Sequence, residues 1–109
     1  MNALANTQCK PCTGKTVPVS QEGVDNLLRQ LDSWTQNGCT IEKTYEFHNY
    51  YQTMAFVNMV AWLSHREDHH PDMKVTYKSC HVGYTTHVIN GLSENDFICA
   101  AKIDALLKI

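Results

Sequence analysis

Residues 65–75 read HREDHHPDMKV, and the periodicity of the chain changes inside this stretch. Upstream of it, from about Tyr50 to Asp68, the pattern is helical. Met54, Phe56, Val57, Met59, Val60, Ala61, Trp62 and Leu63 supply more apolar surface than one stripe needs, which predicts a helix buried on several sides. A subunit interface would bury it, and so would the crossing of the first and last helices. Pro71 cannot continue the helix, and it biases His70 away from helical geometry. Downstream, Met73, Val75 and Tyr77 alternate with Lys74, Thr76 and Lys78, which predicts a half-buried strand over Met73 to Ser79. Cys80 to His87 continues as a second strand, with Val82, Tyr84 and Thr86 on one face.

A second hairpin lies on the N-terminal side. Asn37-Gly38 is a strong two-residue turn signal between Ser33–Gln36 and Cys39–Phe47. Ile41, Tyr45 and Phe47 share one face of the longer strand, while Glu42, Thr44 and Glu46 share the other. Lys43 is the one polar residue on the apolar side. Before this hairpin, Ser20 can cap a helix over residues 21–32, whose Val24, Leu27, Leu28 and Leu31 fall on one face. At the other end, Ser93 with Asp96 three residues on resembles a capping box. Phe97, Ala100, Ile103 and Leu107 then mark the apolar face of a last helix. The order is α-β-β-α-β-β-α. It predicts one α+β domain over residues 18–109, a four-stranded antiparallel sheet with three helices on one face. Residues 1–17 are polar and aperiodic, and they read as a flexible N-terminal arm.

Composition narrows the function. A length of 109 residues suits one small domain, for which self-assembly is a useful aid to burial. The net charge is −2, from nine basic and eleven acidic residues, and the basic residues are scattered. A nucleic-acid binder needs a concentrated basic surface instead. No window reaches the roughly 18 apolar residues of a membrane span, and the N-terminus lacks a signal-peptide core. A cytoplasmic location is the expectation. Five cysteines without an export signal read as reduced thiols rather than a disulfide framework. Cys9-Lys10-Pro11-Cys12 is half of a zinc site or a redox pair at most, because no second such pair exists.

The histidines leave three readings open. On a helix His65 and His69 would share a face, as zinc ligands do, with His81 or His87 as a third. Arg66, however, stands where a catalytic glutamate would be. The second reading is proton transfer, since imidazole gives and takes protons near neutral pH. His87 closes a strand whose partner begins just after His70, so an antiparallel hairpin brings His69, His70 and His87 together. The third is a set of exposed polar residues at the ends of elements.

The run H-x-x-x-H-H-P-D-M, followed by T-T-H, resembles the signature of the pterin-4a-carbinolamine dehydratases, a family also called the dimerisation cofactor of a hepatocyte nuclear factor. His65, His69, His70, Pro71, Thr86 and His87 match in order and with ungapped spacing. Trp34, Phe56-Val57-Asn58, and Gly91-Leu92-Ser93 with Asp96 are also similar, so the resemblance covers about residues 20–107. Met73 departs from it, standing where the family usually has an aromatic residue. The resemblance implies loss of water from a 4a-hydroxytetrahydropterin, with no metal and no cofactor. It implies proton transfer by His69 and His70, a pterin held by His87, which also polarises the leaving oxygen, and a pocket shaped by Pro71 and Thr86. It also implies a homodimer or homotetramer. Two rivals remain: a binding module that stabilises a partner protein's dimer, and a metal protein using His65, His69, Cys9 and Cys12.

Overall fold

A computed structural model describes residues 3–108. Its elements are α1 (Gln21–Leu28), β1 (Thr35–Asn37), β2 (Thr40–Glu46), α2 (Tyr50–Glu67), β3 (Asp72–Val75), β4 (Ser79–Tyr84) and α3 (Glu94–Leu106), with short 3-10 turns at Ala3–Asn6 and His87–Ile89. The α-β-β-α-β-β-α order is the one expected. The strands form one antiparallel sheet in the order β1-β2-β4-β3. The two hairpins therefore meet through their longer strands, with Ile41 opposite Tyr84 and Tyr45 opposite Cys80.

Alternation decides the faces. Ile41, Tyr45, Cys80, Val82 and Tyr84 point to one side and are buried with Val24, Phe56, Val60, Phe97 and Ile103 from the three helices. The other side is wet: Thr44 contacts the His81 ring at 2.8 Å, and Glu42 lies 3.4 Å from the same ring. Lys43 is the exception on the core side, and its partner explains it. Its Nζ donates to Asp104 on α3 at 3.0 Å and to the Asp32 carbonyl at 2.8 Å. Asp104 also accepts from the Trp34 indole at 3.0 Å and the Tyr45 hydroxyl at 2.6 Å. One carboxylate thus ties β2 and the chain leading into β1 to α3.

Several boundaries differ from the sequence expectation. α1 stops at Leu28 rather than running to residue 32. Ser20 caps its start by accepting from Gly23, but Gln30 and Leu31 bond three residues back, and Ser33 takes a left-handed φ of 64°. That turn delivers Trp34 into the core. The first hairpin turns on Gly38-Cys39, one residue later than expected, because Asn37 pairs with Thr40. Gly38 carries φ 62°, at the first turn position, where a II′ turn favours glycine. β3 ends at Val75, so Tyr77 lies in the turn and is exposed, as is Val75 at the sheet edge. Leu107 falls just past α3 and is exposed rather than on its apolar face.

α2 buries a single stripe, Thr53, Phe56, Val60 and Leu63. Tyr51 and Trp62 face outward, 82% and 64% exposed. Part of the surplus apolar surface read from the sequence, Val57 and Met59, packs against the core, and α3 contacts α2; Trp62 remains displayed. No described helix is long and apolar enough to cross a membrane. The segment expected to be an arm makes defined contacts over residues 3–12; residues 1 and 2 lie outside the described range. Leu4 is buried, and Lys102 on α3 donates to the Ala5 carbonyl at 2.8 Å.

Burial raises the Tyr45 and Tyr84 phenols well above their ordinary value, assisted by Asp104 beside Tyr45 and Cys99 beside Tyr84. In the unfolded chain both ionise near pH ~10. Their contribution to stability is therefore complete below about pH 10 and is lost as pH rises beyond it, by up to about 1.4 kcal/mol per pH unit for each tyrosine. Denaturation midpoints should hold to about pH 9 and fall above about pH 10, and Tyr45→Phe should fall less steeply. Equal slopes in the two proteins would contradict the burial of Tyr45.

Candidate active site

The site is assembled where three elements end. At the end of α2, Asp68 adopts a left-handed φ of 52°, and the Asp68 and His69 amides both donate to the Ser64 carbonyl. Asp tolerates this conformation better than most side chains, and the helix stops there. His69 is consequently off the helix, and the shared face expected for His65 and His69 does not exist. His65 stays on the outer surface of α2, its ring 5.5 Å from that of Trp62. Pro71 is buried, and β3 begins at Asp72.

At the far end of the second hairpin, β4 stops at Tyr84, not His87. Thr86 instead bridges to Gly91, and His87 opens the 3-10 turn that Asn90 closes with φ 49°. The chain must reverse here to start α3. Thr86 and His87 therefore sit in the turn and not on a strand face, with Thr86 buried and His87 exposed.

Asp96, in the first turn of α3, joins these ends. Its side chain is fully buried. One oxygen accepts from the Ser93 amide at 2.9 Å and the Thr86 hydroxyl at 2.8 Å. The other lies 2.6 Å from His69 Nε2. A carboxylate only accepts, so Nε2 carries a proton and Thr86 spends its own on Asp96. The Ser93 hydroxyl, 2.8 Å from that of Thr86, must then donate to it. The His69 ring is also stacked on Tyr84, at 5.6 Å between centroids and 11° between planes. The Tyr84 phenol, pushed up by burial, stays neutral and serves as a platform, not as an acid. Asp96 is the residue that sequence reasoning missed. It was read as a helix cap, which it is, and the cap's second oxygen fixes a histidine.

His69, His70 and His87 all line one cleft of about 500 Å³, in the size range of small-molecule sites. His70 and His87 are exposed in it, and His70 Nδ1 lies 3.3 Å from the Pro71 carbonyl. A carbonyl cannot donate, so that contact leaves His70 Nε2 available as an acceptor. Lys10, Pro11 and Cys12 line the cleft from another side. His81 and His65 are not in it, and Met73 packs against the core opposite Val82. Among the described residues no three His, Cys, Asp or Glu side chains are grouped to hold a metal ion. Of His65, His69, Cys9 and Cys12, the last three border the same cleft without grouping as ligands, and His65 lies outside it.

The family described as pterin 4 alpha carbinolamine dehydratase matches residues 17–106. The chain belongs to this family. A relative from Nitrosospira multiformis, named provisionally as a pterin-4-alpha-carbinolamine dehydratase, is 66% identical over 106 residues, covering 97% of this chain and 94% of its own. A transcriptional coactivator/pterin dehydratase from Brucella melitensis, solved as a crystal structure, superposes with a TM-score of 0.79 at 26% identity, over 83% of this chain and 98% of its own. A pterin dehydratase-like protein identified as a RuBisCO assembly factor in the alpha-carboxysome superposes with a TM-score of 0.57 at 26% identity, over 67% of this chain and 84% of its own.

Proposed function

We propose that this chain dehydrates a 4a-hydroxytetrahydropterin to the quinonoid dihydropterin and water, in recycling the cofactor of aromatic amino-acid hydroxylases. The observation that carries the reading is the convergence of His69, His70 and His87 on one cleft, in a chain of the pterin dehydratase family. The step breaks the C4a–oxygen bond and removes a proton from the neighbouring ring nitrogen. Both bonding electrons leave with the oxygen, and the nitrogen pair forms the new C=N bond. No electrons are exchanged with another molecule, so the chemistry asks only for a base, an acid and a fixed geometry. His70, with Nε2 free to accept, takes the ring-nitrogen proton. His69, held by Asp96 at Nε2, gives the leaving hydroxyl a proton from Nδ1; it enters the step as the imidazolium and leaves it as the neutral ring protonated on Nε2. His87 holds the pterin and polarises the departing oxygen, and Thr86 and Pro71 set the shape of the pocket. The reaction belongs in the cytoplasm, where the cofactor is spent.

A second reading, a binding module that stabilises a partner's dimer, draws on the names of the coactivator and the assembly factor. Turnover separates the two. Under the dehydratase reading His70→Ala slows turnover by about 10²-fold or more, the scale of a lost acid or base. His65→Ala costs far less, because His65 lies on the outer face of α2. Both proteins keep the wild-type melting temperature. Turnover of 4a-hydroxytetrahydropterin generated in situ persists under strong chelation. Equal losses in the two variants, or loss on chelation with recovery on adding zinc, would overturn the assignment.

The assembly we propose is a homodimer or homotetramer that covers the outer face of α2 with a second copy. The exposed Tyr51 and Trp62 on that face support it. Light scattering at micromolar concentration should give a multiple of the 12.4 kDa chain mass, and Trp62→Glu should lower it. A monomeric wild type would refute it.

A further inference from the structure

We propose that residues 9–12 form a wall of the histidine cleft that confines the bound pterin, and that Asn95 is the positioning residue for this wall. The inference rests on the dehydratase reading of the cleft. It begins from an asymmetry: the family match starts at residue 17, yet Cys9, Lys10, Pro11 and Cys12 line the same cleft as His69, His70 and His87. One side of the cleft is thus supplied by chain outside the matched region.

Three tethers hold that side. Asn95, buried in the first turn of α3, accepts from the Lys10 amide at 3.0 Å and donates to the Lys10 carbonyl at 2.6 Å. A single side chain thereby satisfies both backbone groups of one residue, as a neighbouring strand would. The Cys9 amide donates to Glu67 Oε1 at 3.0 Å, at the end of α2. The Cys9 sulfur lies 3.5 Å from that of Cys99 and 3.8 Å from the Asn95 carbonyl. These anchors stand beside the residues that hold the histidines: Glu67 precedes the turn into His69, and Asn95 precedes Asp96. The thiol pair fits a packing contact better than a redox bond. The Cys99 contact, burial and Glu67 all push the Cys9 thiol well above its ordinary range, and a thiol kept protonated is a poor nucleophile.

A wall of this kind excludes water and restricts substrate; it does not transfer protons. Its loss should weaken binding more than chemistry. Asn95→Leu removes both bonds to Lys10, and KM should rise roughly tenfold with kcat within about twofold. Labelling of Cys9 by a thiol-specific disulfide reagent should become faster. Lys10→Pro removes the donated amide from the arm side without touching α3, and it should reproduce the KM effect if Asn95→Leu folds poorly. An unchanged KM alongside faster labelling would show that the arm undocks without mattering to the substrate, which overturns the proposal. An unchanged KM with unchanged labelling overturns it too, because Asn95 would not then position the arm. A loss confined to kcat would mean that the substitution acts through Asp96, against the proposal. Absence of turnover in the wild type would remove the dehydratase reading and this inference together, whereas wild-type turnover with any of the three contrary results removes only the inference.

Discussion

A buried carboxylate constrains its surroundings more than any apolar side chain can. The Asp96 side chain is closed off from bulk solvent, so the fold must bring it donors or bear a cost of several kcal/mol. One donor, Ser93, is local to the start of α3; the other two come from beyond β4, Thr86, and from between α2 and β3, His69. Each bond fixes the end of an element. Together they make the cleft a consequence of satisfying one charge.

The rest of the architecture holds these ends in register. β4 lies between β2 and β3, so its exit and the entry of β3 are adjacent by strand pairing alone. Tyr84, the last residue of β4, is buried under the His69 ring and carries the stacking that sets its plane. On the other side of the core, Asp104 gathers Trp34, Lys43 and Tyr45, anchoring the first hairpin to the same helix that presents Asp96. α3 is thus fixed by a carboxylate near each end.

Much of this was legible in the sequence, and what was not has physical reasons. Helices and strands were read from periodicity, and tertiary packing preserved it in α2, β2 and β4. Ends were read less well, because turn chemistry and tertiary pull decide them. Ser33 and Asp68 adopt left-handed conformations that no periodicity announces. The convergence of the three histidines followed from hairpin logic even though β4 stops three residues short of His87. Asp96 was visible only as a helix cap. Its short side chain in place of the usual glutamate was the available signal, but its partners Thr86 and His69 are contacts across the fold. The placement of residues 9–12 was not legible, since apart from the Cys9 sulfur the arm is held through its own backbone groups, which carry no sequence pattern. Lys43 looked like an error in an apolar face and proved to be half of an ion pair.

The central claim is that Asp96 fixes His69 through Nε2 and leaves Nδ1 to the cleft. Long-range proton–nitrogen correlation spectra of the histidine rings, on uniformly ¹⁵N-labelled protein at neutral pH, test it directly. The account predicts a His69 ring with a proton held on Nε2, whose signal loses that character in Asp96→Asn. A His69 ring protonated on Nδ1 alone, with Nε2 bare, would contradict it.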